Sequence, residues 1–363
     1  MTTQSKPRPK KIVYLWGAGA TQAEAQYLGT TISLLMGDTS EFGDGIASRV
    51  LRRVGDSLST SFDSGQAVDI EKLISLFSAS GITKHALWAD EMRSAYFTEL
   101  CTSLSTAKVL DNPRLAIKLL RMHSDQTFKD EVETLSGIIT TNHDGLLQVA
   151  SQIVFGKVNV GFKFSSTDYS GVNSISVPPI LQLHGSFTWR IGIPLKVRKL
   201  RVNSRASNTV WIPPTILKES KNYPFNKLSG LAYEILAKQC DVLRVIGASL
   251  TQNDWNVLSL IFNAQRHNEF VKGTAFRIEL IMPPSAGEYI SKECSFLEKL
   301  IPIGFLTEGQ FTEYKDPTFG PESDLSNPFC YWLNEKTEHH RLRSELSASL
   351  SDDETALSAG ENS

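Results

Sequence analysis

The sequence predicts an α/β fold: a Rossmann-like, mostly parallel sheet with helices on both faces and a helical insertion after the first strand. Two observations support this class. Short apolar runs that suit buried strands alternate with segments whose apolar residues recur every three or four positions. With 363 residues, the chain is also long enough to bury a full core, as one large domain or two modest ones.

The composition is that of an ordinary soluble protein, with 41% hydrophobic residues, 21% charged residues and a net charge of -2. A charge so close to zero argues against a protein whose whole surface binds nucleic acid. The four cysteines (Cys101, Cys240, Cys294 and Cys330) lack the paired spacing of a zinc site. No signal peptide or membrane span is evident. We therefore expect a cytoplasmic protein that holds no metal.

Three parts are predicted along the chain. Residues 1–10 read as a disordered basic arm, residues 11–334 as the folded domain, and residues 335–363 as a disordered acidic tail. A basic cluster at 196–205 lies between two strand-like pieces. We interpret it as a solvated loop or hairpin, with contact to nucleic acid or phosphate as the alternative.

The first strand, predicted at 11–16, runs directly into the small residues of 17–21, and a helical pattern follows. Small residues let the backbone approach a ligand closely, and a helix N-terminus favours negative charge, so this turn is a candidate phosphate cradle. Gln22 stands where the dinucleotide-binding fingerprint has its third glycine, and no suitable acid follows about twenty residues later. An ordinary dehydrogenase is therefore disfavoured.

The helical insertion is predicted over about 45–135. Asp69 is expected to cap one of its helices, and Pro113 suits the first turn of the last one. Trp88, Tyr96 and Phe97 are expected to pack in the core. Apolar residues at helical spacing mark four helices, at 46–54, 69–77, 86–104 and 113–122.

The central strand opens at Gly137 and ends in the polar run 140–144, and a helical pattern begins next. The Asp144 carboxylate can accept backbone N–H groups of that helix, so Asp144 is either a helix cap or a substrate ligand. Further strands are expected at 157–160, at the extended segment 177–183, near 210–212, at 241–246 and at 275–282, with helices at 229–237 and 255–262. Since ligands bind beyond the carboxyl ends of parallel strands, the polar motifs at strand ends predict a single site.

Four of these motifs, in this order, resemble those of the sirtuin (silent information regulator type) family. They are Gly17-Ala18-Gly19-Ala20, Thr141-Asn142-His143-Asp144, Leu183-His184-Gly185-Ser186, and Gly247-Ala248-Ser249-Leu250 with Asp254. The resemblance covers roughly residues 11–285, and the segments between the motifs are unmatched. It implies an NAD-binding site in which His184 is the catalytic base and Asn142 and Asp144 lie near the nicotinamide ribose. The implied NAD contacts are Gly17, Ala18, Gly19, Ala20, Thr21, Thr141, Asp144, Gly185, Gly247, Ser249, Leu250 and Asp254.

The departures from that family narrow the expected activity. Thr141 stands where protein deacylases usually have glutamine, and the four-cysteine zinc module cannot be built. Both departures resemble the sirtuin-like domains of bacterial antiviral systems, which hydrolyse NAD. The resemblance implies an NAD glycohydrolase (NADase) that forms a homo-oligomer or is regulated by a partner such as a DNA-translocase ATPase or a short Argonaute-type protein. A zinc-free NAD-dependent deacylase and a non-catalytic module that senses NAD or ADP-ribose are the alternatives.

The chemistry of NAD cleavage suits two of these residues. The bond to nicotinamide is activated by the pyridinium charge and breaks through an oxocarbenium-like ribose. An asparagine amide both donates and accepts, so Asn142 can hold a ribose hydroxyl and orient water. A histidine can take the proton, which fits His184. His143 is left out of the predicted catalytic pair, Asn142 and His184.

Overall fold

A computed structural model gives the structure, and it describes residues 8–30, 32–36, 44–59, 69–124, 133–162, 177–190, 206–216, 218, 221–248, 250, 252–281 and 311–313. The basic cluster at 196–205 and the predicted tail at 335–363 lie outside these residues, as does all of the predicted arm except residues 8–10. The predictions made for those segments stay predictions.

The described strands are β1 (Lys10–Trp16), β2 (Glu133–Thr140), β3 (Ile180–Gln182), β4 (Gly185–Arg190), β5 (Thr209–Trp211), β6 (Val242–Ile246), β7 (Arg277–Ile281) and β8 (Phe311–Glu313). The described α-helices are α1 (Ala18–Tyr27), α2 (Ile46–Leu58), α3 (Ile70–Ala79), α4 (Thr83–Thr106), α5 (Arg114–Ser124), α6 (Leu146–Phe155), α7 (Phe225–Gln239) and α8 (Trp255–Lys272). Six strands form one sheet in the order β3-β2-β1-β6-β7-β8. Every neighbouring pair in it is parallel, which confirms the predicted fold class.

Helices cover both faces of the sheet, and β1 shows why its sequence is apolar throughout. Ile12, Tyr14 and Trp16 belong to a core cluster shared with the helices of the insertion. Val13 and Leu15 point to the opposite face, into a second cluster with α7 and α8. Successive side chains of a strand face opposite sides, so a strand covered on both faces must be apolar at every position.

The helical insertion between β1 and β2 is confirmed as four helices, α2 to α5. The Asp69 carboxylate caps α3 as predicted, accepting the backbone N–H groups of Glu71 at 3.0 Å and Lys72 at 3.1 Å. The buried Glu24 carboxylate of α1 does the same for α5, where it accepts the N–H groups of Leu115 and Ala116 at 3.1 and 3.0 Å. The contacts of Glu24 therefore attach the insertion to α1 of the sheet domain.

Two expectations were wrong. Residues 157–160 form a loop, because the Asn159 side chain bonds the Val177 carbonyl and the Gly161 N–H, and local bonding of this kind replaces a ladder. Trp88 is only partly buried; it packs at the α3–α4 surface against Phe77, whereas Tyr96 and Phe97 lie in the core as predicted.

The segment that was expected to be extended from 177 to 183 contributes only the short strand β3, at 180–182. Strands β4 and β5 form a separate antiparallel pair. Within the described part of the chain, no helix combines the length and the apolar run that a bilayer crossing requires.

Candidate functional site

The strand order places a ligand-binding crevice between β1 and β6. From β1 the chain continues to β2 on one side, whereas β6 lies on the other, so the direction of winding reverses there. In doubly wound sheets ligands bind beyond the carboxyl ends of the strands at this reversal. Gly17 follows β1 and Gly247 follows β6, while Asn142 and His184 follow the adjacent β2 and β3. The four predicted motifs therefore lie along one edge of the sheet.

The glycines after β1 and β6 bring two backbones into contact. The Gly17 N–H donates to the Ile246 carbonyl at 2.9 Å, and the Gly19 N–H donates to the Gly247 carbonyl at 2.8 Å. Gly247 has φ +59°, and a Cβ there would lie 2.1 Å from the Ala20 nitrogen. Only glycine fits such an approach.

This packing leaves few free donors in the predicted phosphate cradle. The N–H groups of Gly17 and Gly19 are occupied, and that of Ala20 donates to the Gly17 carbonyl at 3.1 Å. Among the described groups of the turn, the Ala18 N–H keeps no such partner. Phosphate binding by the other amides therefore requires a rearrangement of the turn.

Thr21 joins the turn after β1 to the turn after β2. Its hydroxyl donates to the Asp144 carboxylate at 2.9 Å and accepts from the Asn142 Nδ2 at 3.0 Å. The same Nδ2 donates to the Gly17 carbonyl at 3.0 Å. With its nitrogen held twice, the Asn142 amide is fixed in orientation, and its Oδ1 makes no hydrogen bond to the described residues.

Asp144 acts on the helix as the sequence predicted. Its Oδ1 accepts the N–H of Leu146, the first residue of α6, at 3.0 Å, while Gly145 occupies the N-cap position. Burial raises the pKa of the Asp144 carboxyl, opposed by the hydrogen bonds from Leu146 and Thr21. The cap contact is present, and the alternative role as a substrate ligand stays a prediction.

His184 occupies the turn between β3 and β4, and backbone bonds hold it on both sides. The Leu183 N–H donates to the Thr140 carbonyl at 2.9 Å, and the Ile212 N–H donates to the His184 carbonyl at 2.8 Å. Gly185 has φ +80°, and a Cβ there would lie 2.4 Å from the Val210 carbonyl oxygen. The turn is therefore closely packed against β5.

The His184 ring is buried and keeps an unused nitrogen. It is 4% exposed, and its Nε2 has no hydrogen-bond partner among the described residues. Burial lowers the pKa of His184 well below its usual value, aided by the positive charge of Lys218 and by His143; a backbone hydrogen bond at Thr141 opposes them. The ring is therefore neutral at neutral pH, and its free nitrogen can accept a hydrogen bond.

His143 is buried beside His184, with ring centroids 6.2 Å apart. It stacks on Phe187 at 5.2 Å and meets Tyr96 of α4 edge-on at 6.0 Å, so the insertion forms one wall of the site. Its Nδ1 also lacks a partner among the described residues. Burial, with Lys218, lowers the pKa of His143 to about 3.

Sequence reasoning missed a polar network beneath the turn after β2. The buried Gln182 of β3 donates its Nε2 to the carbonyls of Asn142 at 3.1 Å and Asp144 at 2.7 Å. Ser186 donates to the His143 carbonyl at 3.3 Å. The available signal was a glutamine inside an otherwise apolar strand, since a buried amide must find partners.

Lys218 was also missed. Its side chain is 6% exposed, and its Nζ lies 3.3 Å from a Glu71 carboxylate oxygen and 3.2 Å from an Asp254 carboxylate oxygen. Burial lowers the pKa of Lys218, but the two carboxylates together raise it above its usual value. Asp254, a predicted NAD contact, thus pairs with Lys218 in this structure.

The other predicted contacts after β6 are placed differently. Leu250 is 3% exposed and packs in the core cluster of α7 and α8, with φ +50°. Ser249 lies outside the described residues, so its predicted NAD contact is untested. Ala248 is partly buried and packs against the same cluster as Leu250.

Comparison with known proteins adds no assignment. No protein-family model matches the chain, and a search of curated proteins finds no significant match. In the described ranges, no group of three or more metal-ligating side chains is close enough together to hold a metal ion. The sirtuin resemblance therefore rests on the motifs themselves.

Proposed function

We propose that the chain is a sirtuin-like NAD glycohydrolase that cleaves NAD to ADP-ribose and nicotinamide. The observation that carries this proposal is that an oriented asparagine amide and a buried carboxylate follow β2, and a buried histidine follows β3, on the same edge of a doubly wound sheet as the reversal point between β1 and β6. Dinucleotides bind at this place in such sheets. Asn142 and His184 each keep one polar atom that no described residue uses.

The electrostatics of the site suit a reaction that builds positive charge on a ribose. An oxocarbenium-like transition state is stabilised by nearby acceptors and negative charge. Two hydrogen bonds through the Thr21 hydroxyl link the Asp144 carboxylate to the Asn142 amide. Since the Asn142 Nδ2 is already held, its Oδ1 is the atom that accepts from a ribose hydroxyl or from the attacking water.

His184 supplies the proton acceptor. The oxygen of water bonds to the ribose carbon as the bond to nicotinamide breaks, and nicotinamide leaves as a neutral molecule with the bonding pair. The proton lost by water passes to the unused Nε2 of His184. The lowered pKa of His184 keeps the ring neutral before this step, as a base must be, and also makes it a weaker base than an exposed histidine.

The test is to incubate the full chain with NAD and measure nicotinamide and ADP-ribose by chromatography. Wild type is expected to release the two in equal amounts, and His184→Ala to be slower by about a hundredfold or more. Lys238→Met, at an exposed ion pair on α7, is the matched control and should behave as wild type. Release by His184→Ala at the wild-type rate would refute the proposed base.

The same experiment separates the alternative activities. A deacylase would need an acyl-lysine peptide for NAD turnover and would yield O-acyl-ADP-ribose. A sensing module would bind NAD without any product. A place in antiviral defence, a homo-oligomer, and control by a DNA-translocase ATPase or a short Argonaute-type protein are proposals from the motif resemblance alone.

A further inference from the structure

A buried ion cluster joins the helical insertion to the loop that leads into α8. Its centre is Lys218, which lies between Glu71 of α3 and Asp254 at the start of α8. We infer that Lys218 is a positioning residue: its ammonium holds α3 against the loop before α8 and so keeps the insertion closed over the candidate site. We call these three residues, Glu71, Lys218 and Asp254, the clasp.

Further hydrogen bonds join α3 to the same part of the chain as the clasp does. The Asn253 Nδ2 donates to the Asp69 carboxylate, the N-cap of α3, at 3.1 Å. The Ile216 N–H donates to the Ser75 hydroxyl of α3 at 2.9 Å. The Lys218 Nζ also donates to the Asn253 carbonyl at 3.3 Å, and the Asn256 amide donates to the Lys218 carbonyl at 2.8 Å. Ile216 therefore bonds α3, and Lys218 bonds both α3 and the start of α8.

The clasp borders the candidate site on its insertion side. The insertion helix α3, which carries Glu71, packs on α4 through Phe77 and Trp88. Tyr96 of α4 meets His143 edge-on at 6.0 Å. The Lys218 charge in turn lowers the pKa of His143 and of His184. Replacing Lys218 is therefore expected to change two properties of the candidate site: the position of α3 and the pKa values of His143 and His184.

Burial makes this cluster a poor candidate for a purely stabilising role. Glu71 and Asp254 are 18% and 23% exposed, so all three charges lose much of their hydration. The attraction within such a cluster roughly offsets that loss, and its benefit is a defined geometry. The geometry defined here is the distance between α3 and the start of α8.

The first test measures position without using activity. Hydrogen–deuterium exchange of the full chain should be faster by about tenfold at the backbone amides of α3 and of residues 252–258 in Lys218→Met. Lys218→Arg keeps the charge and should exchange more nearly as wild type does. Lys238→Met, which removes an exposed lysine from α7, should change neither segment. Unchanged exchange in Lys218→Met would overturn the inference whether or not the chain hydrolyses NAD.

The second test rests on the proposed function and uses its kinetics. Lys218→Met should raise KM for NAD by about tenfold, because the contact that positions α3 is lost. It should change kcat by a smaller factor, because the reacting groups remain and only the Lys218 charge near His143 and His184 is removed. Lys218→Arg should restore KM. A fall in kcat with KM unchanged would contradict a positioning role, and a failure to cleave NAD in wild type would refute the proposed function and leave the exchange result standing.

A second variant guards against misfolding. Lys218→Met leaves two carboxylates without a partner, whereas Lys218→Met/Glu71→Gln removes one of the two negative charges. Faster exchange confined to α3 and residues 252–258 in this double variant would support the clasp. Unfolding of both variants would contradict it, because a contact that the whole fold needs is not a local clasp.

Discussion

Two buried polar clusters occupy the same sheet and differ in whether their polar atoms have hydrogen-bond partners. In the strand interiors, Arg244 of β6 is 1% exposed and bonds Glu133 at 2.6 and 2.8 Å, Glu279 at 2.7 Å and the Tyr14 hydroxyl at 3.3 Å. At the carboxyl edge, His184 and His143 each keep a buried nitrogen without a partner among the described residues.

We interpret this difference as one between a structural cluster and a candidate functional one. Buried polar groups in native proteins are nearly always hydrogen-bonded, and the exceptions require an explanation. The Arg244 cluster follows the rule, and a structural role accounts for it fully. The edge cluster departs from the rule at its two histidines, and a bound substrate would supply the missing partners. Strain of this kind is expected at functional sites.

The largest effect is expected from Arg244→Met. Removing the guanidinium leaves the Glu133 and Glu279 carboxylates partly buried without their partner, so the free energy of unfolding should fall by about 3–5 kcal/mol. Urea denaturation measures this loss. Arg266→Met, at an exposed ion pair on α8, should change stability by no more than about 0.5 kcal/mol. Equal effects of the two would remove the structural role assigned to Arg244.

Gly247→Ala should lower the free energy of unfolding by slightly less than Arg244→Met does. The added Cβ would meet the Ala20 nitrogen at 2.1 Å, and φ +59° disfavours any other residue, so a loss of about 2–3 kcal/mol is expected. Gly230→Ala is the opposite control: its Cβ meets nothing within 4 Å on α7, and helix propensity predicts a gain of up to about 1 kcal/mol. Thermal unfolding of both variants measures the contrast, and a gain in both would contradict the close approach of the two strand ends.

Acid should weaken the edge cluster selectively. The folded pKa of His143, about 3, lies below the ordinary 6.5, so the unfolded chain binds more protons between these values. The free energy of unfolding is unaffected by His143 above pH 6.5. Below that pH it falls by about 1.4 kcal/mol per pH unit, which is a loss of about 2 kcal/mol at pH 5. His143→Phe keeps a ring against Phe187 and cannot titrate, so it should lose less stability between pH 7 and 5. Parallel curves for the two proteins would show that His143 is not buried in its neutral form.

The smallest effect on stability is expected from Thr21→Val. This isosteric change removes the hydroxyl that bonds Asp144 and Asn142, at a cost of about 1–2 kcal/mol in stability. Nicotinamide release should fall by about tenfold, because the Asn142 amide loses one of its two anchors. Thr106→Val, at the exposed end of α4, is the control. Full activity in Thr21→Val would mean that the orientation of Asn142 does not depend on this bond.

The sequence predicted the parts of the fold that local patterns specify. The apolar run at 11–16 and the helical spacing of the insertion gave β1 and α2 to α5 nearly at their observed bounds. The strand expected at 157–160 is a loop in which the Asn159 side chain bonds the Gly161 N–H and the Val177 carbonyl, while the Asn159 carbonyl accepts from the Ile180 N–H of β3 at 2.8 Å. No periodicity in four residues could reveal those bonds.

The candidate site was predictable where its residues follow strands. Asn142, Asp144 and His184 all lie where the strand ends suggested. Lys218 could not be found this way, because its partners Glu71 and Asp254 are far away in the sequence and meet only through the fold. The glycines also acquired a second explanation, since Gly17, Gly19 and Gly247 are required by backbone packing whether or not phosphate binds.

The central claim is that the edge cluster, and not the sheet interior, performs chemistry on NAD. The most direct measurement is the rate of nicotinamide release by Asn142→Ala beside wild type, with the thermal unfolding of both. We predict a rate lower by about a hundredfold or more, with the unfolding temperature lowered by only a few degrees (about 1–2 kcal/mol) for the two hydrogen bonds that Asn142 loses. Release by Asn142→Ala at the wild-type rate would contradict the account.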